Sequence, residues 1–352
     1  MESLNASRRS FKDVAIEGLG MRITLVVVTY GRRWHLLEKV LDACRRQSVA
    51  NCVIIDNGSA EMIDSLVRDR FGDWAVTISM GRNTGSARAF GEGIARAISA
   101  GAEFVLVLDD DNIPTDGCVG VLVDAYKKNF GGKHELPCAV VGYRPDHQAN
   151  IVQQILSGKA RRLKSSFQGF HIFDIPRKIA SRLFVVGDKS VSRNIRVVPL
   201  PVAPYGGMLF HRSLIEWIGL PNKDFVVYQD DYDFSYRIGL ANGKLLLVLD
   251  ALIEDAEDSW QVAAEGGNSV TVWLNGSNDA RIFYTFRNRT YWDRRGRGDA
   301  GPIFWINLLV YMTILAGFTV ILCRGKRFKV LLSALRAGLS GRLGEDSRFR
   351  LV

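Results

Sequence analysis

Short apolar segments rich in β-branched residues alternate with segments of helical periodicity through the first third of the chain. The apolar segments are typical of buried strands. The predicted strands are 21–29, 51–55, 75–79 and 104–108, and the predicted helices between them are 34–47, 61–71 and 85–100. This alternation predicts an α/β fold with a mostly parallel, Rossmann-like sheet flanked by helices. Because ligands collect beyond the carboxyl ends of parallel strands, we expect a functional site at that edge.

Polar residues follow three of these predicted strands. Thr29 and Tyr30 end the first, Asp56 and Asn57 end the second, and the triplet Asp109–Asp111 ends the fourth. Three consecutive carboxylates repel one another, so a fold keeps them together beside a cation or at a solvated turn. Carboxylates and substrate phosphates are the usual ligands of protein-bound Mg²⁺. The triplet therefore predicts a divalent-cation site at Asp109 and Asp111, with a solvated acidic turn as the alternative.

The second half of the chain is less regular and contains a further pair of carboxylates. The predicted strands there are 140–143, 197–202, 205–210 and 244–249, and the predicted short helices are 213–219 and 232–241. Asp230 and Asp231 precede the last of these helices. One of them can cap it, and a carboxylate beside a second one in a cleft can be tuned toward general-base chemistry.

An uncharged segment, 302–323, stands near the C-terminus. As a helix it is long enough to cross a bilayer, but basic residues flank it on both sides. The positive-inside rule keeps both flanks in the cytosol, so a re-entrant or in-plane helix fits better than one straight span. Residues 328–343 have the pattern of a basic amphipathic helix on anionic headgroups. A buried helix of the globular domain is the alternative.

Composition narrows the class of protein. The 352 residues include 46 Lys and Arg against 37 Asp and Glu, a net charge of +9, and 47% are hydrophobic. This apolar fraction excludes a disordered protein and is too low for a polytopic membrane protein. Five cysteines without CxxC spacing indicate incidental thiols in a reducing compartment. No secretory signal opens the chain, so we expect most of it in the cytosol.

Taken in order, the motifs resemble the inverting family 2 glycosyltransferases with the nucleotide-diphospho-sugar transferase (GT-A) fold. The matching motifs are VVVTY at 26–30, IIDNGS at 54–59, RNTG at 82–85, the acidic triplet, and Asp230-Asp231. The resemblance covers roughly residues 22–255. The downstream segment 281–291 and the apolar, basic tail are similar to the galactofuranosyl- and rhamnosyl-type branches of that family.

The resemblance implies a role for each motif. Residues expected to bind the donor nucleotide are Thr29, Tyr30, Arg32, Asp56, Asn57, Asn83, Gly85, Asp109 and Asp110. Asp109 and Asp111 would hold Mg²⁺ or Mn²⁺ as a DxD pair. Asp255 stands where many relatives have His and would be a third ligand, with a turn residue as the alternative. Asp231 would be the catalytic base. Gly206, Gly207 and Asp230 would lie next to the donor or acceptor sugar.

The resemblance also implies an activity and a location. We expect a metal-dependent hexosyltransferase at the cytoplasmic face of the cell membrane that builds cell-surface polysaccharide. It would move a sugar from a UDP- or dTDP-linked donor to a hydroxyl of a lipid-linked or cell-surface glycan, and would bind anionic lipids but no nucleic acid. A nucleotidyltransferase and a non-enzymatic membrane-surface or nucleic-acid-binding protein are the alternatives. The first would be expected to carry a Gly-, Arg- and Lys-rich triphosphate loop near the first strand, where only TYGRR stands at 29–33.

These expectations divide the chain into four parts. A lead-in occupies 1–20, and the GT-A catalytic domain occupies 21–255, with a nucleotide-binding half at 21–120 and an acceptor half at 121–255. A helical extension follows at 256–300, and a hydrophobic and basic membrane-associating tail occupies 301–352.

Overall fold

The computed structural model describes residues 22–131, 136–156, 165–176, 195–257, 271–275, 278–296 and 300–351, so the predicted lead-in at 1–20 lies outside the described residues. The first part alternates strands and helices: β1 Ile23–Gly31, α1 Trp34–Arg45, β2 Asn51–Ser59, α2 Ile63–Phe71, β3 Ala75–Ser79, α3 Ser86–Ser99 and β4 Phe104–Asp109. Every strand and helix predicted for this part is confirmed. β2 extends beyond the predicted 51–55 because it stays paired with β1 as far as Ser59.

The second part is built from shorter elements. They are β5 Asn112–Pro114, α4 Cys118–Phe130, β6 Cys138–Tyr143, α5 Pro145–Leu156, β7 Val197–Pro199, β8 Met208–His211, α6 Leu214–Ile218, α7 Asp230–Leu240 and β9 Lys244–Asp255. The C-terminal helices are α8 Val272–Asn275, α9 Asp279–Tyr291, α10 Pro302–Ile321 and α11 Gly325–Ser340, with a π-helical turn at Trp292–Gly296 after α9. The sequence pattern did not predict β5, α4 or α5.

One nine-stranded sheet runs through the domain. Its order is β3-β2-β1-β4-β8-β6-β9-β5, and β7 also pairs with β9. β1 is parallel to β2 and β4, and β2 is parallel to β3. β8 is antiparallel to both β4 and β6, so the mostly parallel sheet predicted from the sequence is mixed in its second half. The sequence could not show this, because strand direction depends on how the long loops before β8 return the chain.

Both faces of the sheet are covered, which explains the uninterrupted apolar sequence of β1. Alternate residues point to opposite faces. Leu25 and Val27 belong to the core that also contains buried residues of α1, α2 and α4. Val26 and Val28 belong to the core on the other face, with buried residues of α3 and α7.

A third core joins the C-terminal helices to the domain. Buried residues of α9, α10 and α11 pack there with Phe167 and with Val226, which lies just before α7. Within α10, Asn307 donates from Nδ2 to Ser165 O (2.8 Å) and accepts from Ile172 N (2.8 Å). The predicted extension and tail therefore pack onto the same body as the strands.

One side of helix α10 is buried and the other is exposed, although almost all of its side chains are apolar. The buried stripe repeats at helical spacing and consists of Phe304, Asn307, Tyr311, Leu315 and Thr319. The exposed large apolar residues include Ile303, Trp305, Ile306, Leu309, Val320 and Ile321. Among the described residues, α10 is the one helix long and apolar enough to cross a membrane.

Candidate active site

The strand ends meet at one edge of the sheet, as the sequence predicted. Asp56 is paired with Thr29 across β1 and β2, and Asp109 is paired with Val28 across β1 and β4. The Thr29 hydroxyl donates a hydrogen bond to Asp110 Oδ2 at 2.8 Å. The polar ends of β1, β2 and β4 therefore form one crevice, the position where α/β sheets bind their ligands.

Arg33, directly after β1, holds two carboxylates of the triplet. Its Nε lies 2.9 Å from Asp110 Oδ1, and its Nη2 lies 2.9 Å from Asp111 Oδ2. Burial raises the pKa of Asp110 to about 7, even though Arg33 and the Thr29 hydroxyl favour the charged form. Arg32, the neighbour chosen from the sequence as a nucleotide contact, is exposed. Sequence alone could not separate these adjacent arginines, because the direction of each side chain depends on how β1 ends at Gly31.

Asn112, which is fully buried, joins the triplet to Asp255. Its Nδ2 donates to Asp255 Oδ1 at 2.8 Å and to Asp111 Oδ1 at 3.2 Å, and its Oδ1 accepts from the Asp109 amide at 3.3 Å. Antiparallel pairing of β5 with β9 places Asn112 opposite Asp255. The structure thus brings Asp255, the last residue of β9, beside the triplet, where the resemblance led us to expect it.

The Asp255 carboxylate is nevertheless occupied by basic side chains of the protein. Arg144 Nη2 lies 2.6 Å from Oδ1, and His147 Nε2 lies 3.2 Å from Oδ2. Burial alone would raise the pKa of Asp255, but the hydrogen bonds and charges of His147 and Arg144 hold it below its ordinary value. In the described part of the chain, no three His, Cys, Asp or Glu side chains are grouped as a metal site. The assignment of Asp255 as a third metal ligand therefore stays a prediction.

Asp109 has the environment that a cation would complete, and Asp111 beside it is paired with Arg33. Burial, with a further contribution from the charge of Asp111, raises the pKa of Asp109 to about 6. Among the described residues, no hydrogen bond reaches the Asp109 carboxylate. Mg²⁺ is commonly bound by one or two carboxylates together with substrate phosphates. Asp109 and Asp111 thus fit a two-carboxylate cation site, in which the cation would take the place of Arg33 beside Asp111, while Asp255 is paired with Arg144.

The Asn57 side chain holds the RNTG segment at 82–85 by hydrogen bonds. Asn57 Oδ1 accepts from the Thr84 amide at 2.8 Å, and its Nδ2 donates to Asn83 Oδ1 at 3.2 Å. Gly85 has φ of +86°, and a Cβ there would lie 2.0 Å from Val226 O. Asn57 is buried, whereas Asp56 at the end of the same motif is half-buried and accepts from the Ser59 amide at 2.7 Å.

Asp230 and Asp231 form the first turn of α7. The Ser86 hydroxyl donates to buried Asp230 at 3.1 Å, and burial raises the pKa of Asp230 to about 7. Burial and the charge of Asp230 raise the pKa of Asp231 well above its ordinary value. The charge of Asp109 contributes to both shifts, so the two acidic groups predicted separately from the sequence lie in one electrostatic unit. The helix dipole favours carboxylates at this end of α7.

Gly206 and Gly207 pack against Asn112 and β4, close to the acidic triplet. A Cβ on Gly206 would lie 2.2 Å from Asn112 Oδ1 and 2.9 Å from Arg144 Nη1. Gly207 has φ of +88° and donates from its amide to Val107 O at 2.9 Å. Packing within the protein therefore requires glycine at both positions, and both glycines lie beside the triplet.

Sequence reasoning missed five polar residues of this site. They are Arg33, Ser86, Asn112, Arg144 and His147. Asn112 could have been found, because it directly follows the triplet. Arg144 and His147 precede Asp255 by more than 100 residues along the chain. Only the pairing of β6 with β9 brings them close to it.

Comparisons with known proteins agree with this architecture. Residues 24–184 match the model described as Glycosyl transferase family 2. The galactofuranosyltransferase GlfT1 of Mycolicibacterium smegmatis is 24% identical over 279 residues, which are 76% of this chain and 82% of that protein.

Two solved structures share the fold. GalNAc-T7, crystallised with UDP, GalNAc and Mn²⁺, has a TM-score of 0.51 and 15% identity; the match covers 78% of this chain and 48% of that one. S. aureus TarS in complex with UDP-GlcNAc has a TM-score of 0.51 and 11% identity, over 91% of this chain and 81% of that one. The chain has the fold of the GT-A glycosyltransferases, and its relatives support a glycosyltransferase activity. Residues 24–184 are similar to a glycosyl transferase family 2 domain.

Proposed function

We propose that this glycosyltransferase moves a sugar, with inversion, from a UDP- or dTDP-linked donor to a hydroxyl of a glycan acceptor. The observation that carries the proposal is the link between α7 and the strand ends: the Ser86 hydroxyl, next to the RNTG segment, donates to Asp230 at 3.1 Å, and the charge of Asp109 adds to the raised pKa of Asp230 and of Asp231. This link supports a phosphate-and-cation end and a proton-accepting end in one crevice. The relative named as a galactofuranosyltransferase supports a hexose donor. Both structural neighbours were crystallised with uridine nucleotides, which supports UDP.

Asp231 is the proposed base. A carboxylate with a raised pKa is a stronger proton acceptor than an ordinary one, and proton transfer by a positioned group contributes about 10²–10⁴-fold to rate. In this role Asp231 takes the proton of the acceptor hydroxyl. Asp230, held by Ser86, keeps the pKa of Asp231 high through its charge and lies next to the sugar.

Asp109 and Asp111 are the proposed ligands of Mg²⁺ or Mn²⁺. When bound, a divalent cation offsets the charge of the nucleotide diphosphate as it leaves. The Mn²⁺ in the GalNAc-T7 crystal supports this assignment. Thr29, Tyr30, Asp56 and Asn83 line the same edge of the sheet and are the proposed contacts of the nucleoside, together with the Gly85 backbone.

A nucleotide-binding experiment tests this proposal directly. We expect UDP or dTDP with Mn²⁺ to stabilise the protein, by about 2.7 kcal/mol at 100 times the dissociation constant. Replacing Asp111 by Ala should abolish the metal-dependent part of that stabilisation, measured as a thermal shift. The matched control is Asp116→Ala, because Asp116 follows the triplet closely but is exposed. A wild-type protein that no nucleotide diphosphate stabilises, with or without metal and in lipid nanodiscs, would contradict the proposal.

The C-terminal helices support a membrane-surface location, and with it a lipid-linked acceptor. α10 lies on the domain along a buried stripe and turns large apolar side chains outward, which suits a helix lying in the plane of a membrane. A cavity of about 810 Å³ between α9, α11 and the C-terminal segment is lined by Lys329, Arg336 and Arg342 among other residues. These cations suit the phosphate groups of lipids.

Vesicle flotation tests the membrane proposal. We expect the double variant Ile306→Glu/Leu309→Glu to lose at least about tenfold in binding to vesicles of phosphatidylcholine and phosphatidylglycerol, because each exposed apolar side chain contributes about 1.5–3 kcal/mol when it leaves water. Met62→Glu/Leu240→Glu is the matched control, since both residues are exposed apolar side chains on other elements. Equal binding by both double variants would show that α10 does not contact the lipid.

A further inference from the structure

The segment that leads into α7 has an unusual backbone. Val226, Tyr228 and Gln229 have φ angles of +69°, +65° and +69°, although none of them is glycine. Left-handed conformations cost side-chain-bearing residues roughly 1–3 kcal/mol each, and persist only where the surrounding structure imposes them. This segment, 224–229, ends at the residue before Asp230, so its conformation sets where the two acidic side chains of α7 lie.

Asn288 of α9 holds the segment by its backbone carbonyls. The side chain is fully buried, and Nδ2 donates to Phe225 O at 2.7 Å, to Val227 O at 2.8 Å and to Tyr228 O at 3.0 Å. One amide group therefore contacts three carbonyls of four consecutive residues. A regular strand or helix could not present its carbonyls in this way, so these hydrogen bonds favour the left-handed conformation.

Arg287, the preceding residue, fixes the orientation of that amide. Its Nε donates to Asn288 Oδ1 at 2.9 Å, so the Asn288 NH₂ group is directed at the carbonyls, and its Nη2 donates to Phe225 O at 3.1 Å. Burial lowers the pKa of Arg287 to about 10, which leaves the side chain charged at neutral pH. A buried cation is unfavourable unless it is hydrogen-bonded. Arg287 donates to Asn288, to the segment at Asp224 O and Phe225 O, and to Gly344 O.

The other side of the segment contacts the RNTG loop. Val226 O accepts a hydrogen bond from the Ala87 amide at 3.1 Å, at the start of α3. Gly85 approaches the same carbonyl so closely that no side chain would fit. The segment therefore lies between the nucleotide end of the crevice and α9.

We propose that Asn288, oriented by Arg287, is a positioning residue that holds Asp231 at the proton-accepting end of the crevice. This inference rests on the proposed function of Asp231. Asn288 itself is covered by the segment and acts only through it. Because an error of about 1 Å in the position of a catalytic group can cost about 10²-fold in rate, losing these hydrogen bonds should lower turnover strongly.

The substitution Asn288→Asp tests the proposal with little change in shape, because a carboxylate cannot donate the three hydrogen bonds. We expect kcat for UDP release from UDP-galactofuranose, with water as acceptor, to fall about 100-fold while the donor KM stays within about twofold. Hydrogen exchange should rise at least about tenfold in peptides covering 225–232 and stay unchanged in β1 and β4. Arg287→Lys should have the same effects to a smaller extent, because lysine cannot reach both Asn288 and Phe225.

Asn278→Asp is the matched control. Asn278 caps the same helix, and its side chain only accepts hydrogen bonds, from the Ala280 and Arg281 amides, which Asp can also do. Unchanged kcat and exchange in Asn288→Asp would overturn the proposal. A loss of kcat together with a uniform rise in hydrogen exchange across the sheet would also overturn it, because Asn288 would then contribute only to the general stability of the fold. If wild-type protein releases no nucleotide diphosphate from any UDP- or dTDP-linked sugar, the proposed function fails, while exchange at 225–232 still decides whether Asn288 holds the segment.

Discussion

Replacing Asp231 by Asn is expected to lower sugar transfer about 10³-fold while nucleotide binding stays within about twofold. The amide keeps the shape of the carboxylate but cannot accept the proton of the acceptor hydroxyl. Asp231, the proposed base, lies in the first turn of α7, whereas the proposed nucleotide contacts lie at the ends of β1, β2 and β4. Turnover is measured by nucleotide release, and binding is measured by calorimetry with the nucleotide alone.

The pH dependence follows from the raised pKa of Asp231. A base works only when deprotonated, so wild-type turnover should fall as the pH drops through that raised pKa, well above the ordinary range of an Asp. The contribution of Asp231 to folding stability changes with pH in the opposite direction. A carboxyl whose pKa is raised on folding stabilises the protein fully below its unfolded pKa, and this contribution is lost as the pH rises through the folded value. Asp231→Asn should therefore be at least as stable as wild type at pH 8.

Asp233→Asn is the control for this experiment. Asp233 lies in the same turn of α7, but its carboxylate pairs with Arg237 Nε at 3.2 Å. We expect it to retain turnover within a fewfold. An Asp231→Asn enzyme with near wild-type turnover would exclude Asp231 as the base.

Replacing Arg33 by Ala is expected to destabilise the folded protein by about 3 kcal/mol, because it leaves the buried Asp110 carboxylate without its cation. The side chain of Asp110 is only 4% exposed, and that of Arg33 is 17% exposed. The neutralised double variant Arg33→Ala/Asp110→Asn should recover part of the loss. Free energies of unfolding from urea titrations measure both effects.

The neighbouring substitution Arg32→Ala is the matched control for Arg33→Ala. Arg32 is exposed, and surface substitutions of this kind usually change stability by less than about 0.5 kcal/mol. Equal destabilisation by the two variants would show that the Arg33–Asp110 pair contributes nothing particular to folding. Nucleotide binding by Arg32→Ala also tests the sequence-based assignment of Arg32 to the donor pocket.

The sequence by itself determined the first half of the sheet and the edge at which the site lies. Strands such as β1 and β4 are buried on both faces, so their apolar segments stand out along the chain, and a parallel α/β unit places their polar ends together. The helix that follows Asp230 and Asp231 and the uncharged helix α10 were likewise visible, because periodicity and charge are local properties of a sequence.

Only the tertiary structure decided which charges meet. The choice of Arg33 over Arg32 depends on how the chain leaves β1. The capture of Asp255 by Arg144 and His147 depends on the pairing of β6 with β9, between residues more than 100 positions apart. The contacts of Asn288 with the carbonyls before α7 join segments about 60 residues apart. Such contacts arise where elements pack across the sheet, and no local pattern records them. The motifs therefore predicted the acidic residues, and packing determined the cations and amides that hold them.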